Sequence, residues 1–407
     1  MNYKVIILLF LEAFFALFLL YRQDFPKKFS YISSALIFTF LAFYLRFLVL
    51  DFESLDFKNF LSKWVEYFRN FGGFKALSRP VGNYNIPYLY FLALFSYSDI
   101  NELYLIKLLS IFFDILLAYG SMKLLSLFTD KPSQLMGCFF GVLFLPTVFL
   151  NGAYWGQCDS SYVSLMLLGI YFALSKRPAL SVIFAALSFG FKLQAVFILP
   201  VYAILWMNKK ISLKHILLFP LSYVILVLPA VIMGRPFWDT LTLYFKQTGS
   251  IGSGLNYSAP SVYAYFYNVK DPVFAGNLGI GAAFVFMFAV LAIAFFKRDE
   301  IKESTVFFAS LLLSIAIPFF LPHMHERYFF GADVLSLILA FYMPGLGCAP
   351  VLCQFASLLG YYAYFNCRFF LTMNYGTTAL IPILCAAFVF YILSLRKNNF
   401  EKISKNC

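Results

Sequence analysis

The chain has 407 residues, 62% of them hydrophobic and 12% charged, with a formal net charge of +12. A soluble domain carries about 25% charged residues, so this composition excludes one and points to a protein that crosses a membrane many times. The surplus of Lys and Arg falls in short clusters between apolar runs rather than on one soluble face, which excludes a nucleic-acid surface and fits loops held on the cytoplasmic side.

Runs such as Val5 to Tyr21, Ala35 to Leu50, Ile216 to Ile232 and Ile280 to Phe296 approach the ~20 apolar residues that span a bilayer. Helices, not alternating strands, are therefore predicted to carry the chain across. The first run, Tyr3 to Tyr21, lacks a small-residue cleavage site and is followed at once by RQDFPKK, so it reads as a retained span. Arg22, Lys27 and Lys28 place the next loop in the cytoplasm, and a second span (30 to 50) delivers the polar segment Asp51 to Tyr84 to the outer face. Tyr84 to Tyr97 is apolar but short, and reads as a juxtamembrane helix lying on the outer surface.

The chain then returns inward over 101 to 128, goes out over 135 to 153, and comes in over 160 to 175 to Lys176 and Arg177. A short helical pair over 179 to 207 turns near Lys192 and ends at the basic Asn208 to Lys210. Span 213 to 232 leads to a second outer polar stretch, Gly234 to Gly276. Five more spans follow (277 to 296, 304 to 321, 329 to 343, 346 to 365 and 376 to 395), and the tail is cytoplasmic. Every strongly basic short loop then lies on one side, which supports about thirteen spans with the N-terminus outside. Seven cysteines, without CxxC spacing or a partner histidine cluster, read as small core hydrophobes with neither a disulfide framework nor a metal site.

Polar residues from distant segments reach the outer face in this scheme: Asp56, Asp159 in AYWGQCDSSY, Lys192 and Gln194 in FGFKLQAVFILP, the loop from Tyr244 to Tyr263, and PHMHERYFF at 322 to 330. Charge inside a membrane is costly, ~2.5 to 3.5 kcal/mol at a helix centre, so it faces a cavity or a partner. Plainer roles exist for each. Asp56 fits a solvated loop residue, Asp159 an N-cap, Lys192 a snorkelling cation, and His325 to Arg327 a local ion pair closing a helix end. Arg46 and Asp114, inside spans, are read as structural.

The ordered series SLDFKNFLSKW (54 to 64), NYNIPYLY (83 to 90), WGQCDSSY (155 to 162), FKLQAVFILP (191 to 200) and HMHERYFF (323 to 330) resembles bacterial mannosyltransferases of the GT-C superfamily, multi-span enzymes that use lipid-linked sugar donors. The resemblance covers residues 40 to 335. It implies an all-α polytopic GT-C-type fold in the bacterial plasma membrane: an extra N-terminal span and loop (1–29), a catalytic transmembrane core (30–233) with outer loop 51–99, an extracytoplasmic loop (234–276), C-terminal helices (277–395) and a cytoplasmic tail (396–407). It also implies a catalytic aspartate in the first outer loop. Asp56 matches the family's D-x3-F-x3-W pattern with Phe60 and Trp64, and Asp51 is its rival. The chain departs from the family in reading YNIPYLY where relatives have YPPL, and no motif is recognised after Leu335, where packing or a partner surface is expected.

The implied reaction moves a hexose, mannose by the resemblance, from a polyprenyl-phosphate donor to a hydroxyl of a glycan, lipid or protein acceptor. One base suffices because the lipid phosphate is already a good leaving group. Asp56 is that base, with Asp51 or Asp159 orienting it or the acceptor, and attack opposite the phosphate predicts inversion. Lys192, Arg327, His323 and His325 are the candidate phosphate ligands, and Trp155, Gln157, Gln194, Glu326, Tyr244, Gln247 and Asn256 the candidate substrate contacts. Gly252 to Tyr263, rich in turn formers, is expected to be a mobile loop over the sugar or the acceptor entrance. Metal-independent activity is expected. The competing readings are a lipid-sugar flippase, which would favour internal repeats, and a non-catalytic subunit of an envelope assembly.

Overall fold

The computed structural model describes residues 2–248, 253–266 and 268–396, apart from the side chains of 246–248. The side chain of Gln247, the Gly252 end of the expected mobile loop and the tail beyond Arg396 lie outside the described residues. The helices that matter to the argument are α1 (Tyr3–Tyr21), α2 (Phe29–Leu48), α3 (Ser62–Asn70), α4 (Ile86–Phe95), α5 (Glu102–Leu125), α6 (Pro132–Phe144), α7 (Asp159–Leu174), α8 (Pro178–Phe191), α9 (Leu218–Ile232), α10 (Pro272–Phe296), α11 (Glu303–Phe320), α12 (Phe330–Tyr342), α13 (Cys348–Asn366) and α14 (Met373–Ser394). The described residues hold only two strands, β1 (Asn256–Tyr257) and β2 (Met324–His325), of two residues each, paired in parallel. This is an all-α membrane protein.

Eight helical stretches among the described residues are long and apolar enough to cross a bilayer. Counting α6 and Pro146–Trp155 as one span broken by 47° makes nine. The expected count of about thirteen is not reached by length and apolarity alone. The crossings anticipated at 160 to 175, 179 to 207 and 329 to 343 form helices of 16, 14 and 13 residues, short of the ~20 that cover a hydrocarbon core. In α8 the helix ends where Lys192 turns extended, φ −152° and ψ 135°.

Charge separates the two ends of the bundle. Lys4 pairs with Asp99 at the end that carries the first polar segment. At the other end Lys210 pairs with Glu303 at 3.0 Å, Asn208 donates to the Arg298 and Ile301 carbonyls, and Lys123 donates to Gln23. Between them, α5 packs on α6 and α7, α7 on α8, and α11 on α10 and α14. The most apolar helix is not the most buried: 89% of α11's span window is inside the protein, against 17% for α10. Ser304, Thr305, Ser310 and Ser314 let α11 pack closely among its neighbours, while α10 turns leucine, valine and phenylalanine to the lipid.

The polar segment folds back on itself. A π-helical turn Phe57–Leu61 runs into α3, a 3₁₀ turn Gly73–Ser78 follows, and α4 closes the segment. α4 is 10 residues, about 15 Å, and buries Ile86, Tyr88, Leu89 and Leu92 against α3, α8 and α9. It is short, as its sequence suggested, and it is packed among helices of the bundle.

Candidate functional site

Asp56 lies one residue before the π-helical turn, at the end of a connection that is clamped from below. Lys107, fully buried on α5, donates its ammonium to the carbonyls of Val49, Leu50 and Phe52 at 2.9, 3.0 and 2.7 Å. Those carbonyls follow the end of α2, where intrahelical donors have run out, so the ammonium there both satisfies them and fixes the start of the segment. Ser54 adds a second tie, accepting from Phe57 N–H and donating to the Trp155 carbonyl at 2.9 Å.

The partners of Asp56 arrive from the α6 side. Leu145 is extended before Pro146, and the chain then winds through a π-helical turn, Leu150–Trp155. Gly156 follows at φ +81°, a left-handed conformation that favours glycine. That reversal lets Trp155 and Gln157 face the same carboxylate. Asp56 Oδ2 accepts from Trp155 Nε1 at 3.0 Å and from Gln157 Nε2 at 2.5 Å. Gln157 is held in turn by Tyr84, whose hydroxyl donates to Oε1 at 3.0 Å, and by Ser110 through its carbonyl. Burial pushes the Tyr84 phenol well above its ordinary pKa, so it stays a donor. Both N–H donors fall on Oδ2, and the Tyr364 hydroxyl also faces the Asp56 carboxylate.

Asp56, Gln157, Tyr84, Trp64 and Phe60 line one part of a cleft of about 480 Å³; His325, Glu326, Arg327, Tyr257 and Tyr364 are among the residues that line other parts. That volume lies within the ~300 to 1,000 Å³ of small-molecule sites. Arg327 is held from several sides: Nη1 donates to Glu326 at 2.5 Å, Nε lies 3.9 Å from Asp159, and the guanidinium stacks over Trp155 with 5.2 Å to the ring centroid. Burial opposes charge on Arg327, but Glu326, Tyr328 and Asp159 outweigh it and raise its pKa. For Glu326, burial pushes the carboxyl up while Arg327 and His325 more than reverse this, so its pKa falls below the ordinary value. His325 stacks on Tyr257 at 4.8 Å, and β1 with β2 holds that pair in register.

No protein-family model matches the chain, and no curated protein does either.

The other sequence candidates have defined places. Asp159 does not cap α7: the N-cap is Cys158, and the Asp159 carboxylate accepts from Asn151 at 2.8 Å and from Lys192 at 2.6 Å. Lys192 thus spends its ammonium on Asp159 and is absent from the cleft lining. Asp51 also lies off the cleft, accepting from Tyr104 at 2.6 Å. His323, at φ +62°, bonds the Gly254 carbonyl at 2.7 Å, and Asn256 braces Ala259. Tyr244 donates to the Phe189 carbonyl, and Gln194 is half-buried in the 3₁₀ turn after Lys192.

Residues without a sequence motif complete the site. α13, expected to serve only packing or a partner, sends Tyr361, Tyr364 and Phe365 against Trp155, with Tyr364 stacked at 4.1 Å. Tyr361 accepts from Asn151, the residue that also grips Asp159. The run YYAYF was the available signal, hidden by the 28 tyrosines and 54 phenylalanines of the chain.

Proposed function

We propose that this chain is an inverting membrane glycosyltransferase of GT-C type, moving a hexose from a polyprenyl-phosphate donor to a hydroxyl of a cell-surface glycan, lipid or protein. The site faces outward from the bacterial plasma membrane. The observation that carries the reading is the setting of Asp56: one oxygen pinned by two N–H donors, and the carboxylate bordering a cleft that also holds Arg327.

In this reading the acceptor O–H gives its proton to Asp56 Oδ1 as its oxygen bonds to the anomeric carbon. The bond from that carbon to the phosphate oxygen breaks, and the polyprenyl phosphate leaves with the electron pair. Arg327 takes the charge that grows on the phosphate, with His325 beside it. Lys192 is reassigned from the phosphate to Asp159, whose neutralised carboxylate steadies Asn151 and Arg327. Transfer needs no metal in this scheme and is expected to survive chelator.

The test is transfer by the purified chain from polyprenyl-phosphate mannose or glucose to a panel of acceptors. Asp56→Asn is expected to lose about 10²- to 10⁴-fold in rate, the usual contribution of a positioned base. An unchanged rate would remove Asp56 from this role. A native chain that moves carrier between leaflets but transfers nothing would favour a flippase. Sidedness has its own check: with the native cysteines replaced, a cysteine at exposed Lys58 should react with an impermeant reagent from outside intact cells.

A further inference from the structure

At the end of the bundle away from the cleft, α2 and α6 form a wedge. Its narrow part is closed by Arg46 Nη1 donating to the Leu143 carbonyl at 3.0 Å and by Phe38 against Phe140 and Phe144, with centroids 5.4 and 6.2 Å apart. Toward their N-termini the helices part and leave a groove of about 450 Å³. Its walls grade along the axis. Ser30, Tyr31, Ser34 and Ser133 line it toward the helix starts, and the three phenylalanines line it toward the membrane interior. Those four hydroxyls make no hydrogen bond among the described residues.

The mouth is basic. Lys27 and Lys28 precede α2 and Lys131 precedes α6; all three are exposed, and none has an ion pair among the described residues. With Arg22 they make four cations against Asp24 and Asp130, an excess of two. We infer that the groove between α2 and α6 binds one phospholipid with an anionic headgroup, drawn from the leaflet at the basic face. Lys28 and Lys131 meet the phosphate, the serine hydroxyls meet the ester oxygens, and an acyl chain lies along Phe38, Phe140 and Phe144. Ser30 to Phe38 rises about 12 Å, close to the ~15 Å of hydrocarbon in one leaflet. Charge on the headgroup and polarity along the chain thus both match the groove.

The site does not rest on the transferase reading. It bears on it, because α2 leads to Asp56 and α6 leads through Pro146 to Trp155 and Gln157, so an occupant at one end sets the spacing of helices that meet at the other.

The experiment is native mass spectrometry of the full chain in mild detergent, titrated with phosphatidylglycerol or phosphatidylcholine, with the unfolding temperature of each variant measured alongside. One phosphatidylglycerol per chain should be retained in preference to phosphatidylcholine. A lysine near an anionic headgroup is worth about fivefold, so Lys28→Gln with Lys131→Gln should weaken retention about thirtyfold. Ser34→Trp, which fills the groove without touching its charge, should abolish retention at an unchanged unfolding temperature. Equal retention of the two lipids overturns the proposal. So does retention that survives Ser34→Trp, since that would be adsorption to the basic surface.

Discussion

Asp114 and Asp56 are both carboxylates set among helices, and they spend their oxygens in opposite ways. Asp114, half-way along α5, has Oδ2 paired with Arg46 at 2.9 Å and Oδ1 accepting from Ser160 at 2.5 Å, and neither partner is exposed. Arg46 is itself committed to two further carbonyls, of Ala42 and Leu143. Asp56 takes two N–H donors on one oxygen and borders a cleft. Charge at membrane depth therefore does not by itself mark chemistry. A carboxylate that faces a cavity is the better candidate, whereas a closed pair such as Arg46–Asp114 holds helices together.

The comparison breaks most sharply in stability. Asp114→Ala leaves Arg46 buried without its carboxylate and is expected to cost about 3 to 5 kcal/mol, read as a lower unfolding temperature and poor yield. Asp56→Asn should cost no more than about 1 kcal/mol in the same measurement, although it removes transfer. If both variants unfolded alike, the division between structural and working carboxylates would fall.

A smaller effect tests the line behind Asp56. Tyr84→Phe removes the hydroxyl that fixes the Gln157 amide, and the loss of one such hydrogen bond, about 1 kcal/mol, predicts about a fivefold lower kcat with the fold intact. Steady-state rates on the purified variant would show it; an unchanged kcat would mean that Gln157 needs no such brace.

The smallest effect is one that disappears in acid. The depressed pKa of Glu326 means that the folded state favours its carboxylate. Its contribution is full above the ordinary glutamate value of about 4.3 and fades as pH falls through the lower folded value. Glu326→Gln should flatten that acid limb, so its unfolding curve should converge with that of the native chain below about pH 4. Parallel curves would deny Glu326 its charge.

Much of the fold could be read from the sequence, because run length and loop charge answer to the bilayer alone. A stretch such as Pro272 to Phe296 has to be a helix in lipid, and basic clusters such as Lys297 and Arg298 have to stay on one side. The short helices are harder to read for the same reason: α7, α8 and α12 are apolar like spans, but they are shorter and covered by protein at many positions.

At the site, the polar letters Asp56, Gln157 and Arg327 stood out against apolar surroundings, and they do share a cleft. What each does was decided elsewhere. Lys192 and Asp159 look like two separate candidates 33 residues apart and turn out to neutralise each other. Lys107, Tyr84 and Tyr361 carry no motif, since a lysine on carbonyls or a tyrosine on an amide gains its role from a neighbour far along the chain. Composition, span content and the end of the bundle that gathers polar residues follow from transfer between water and lipid, which acts on each segment separately. Which oxygen is pinned, which cation is spent and which aromatic ring backs the site depend on hydrogen bonds and contacts between segments, and only the tertiary structure decides those.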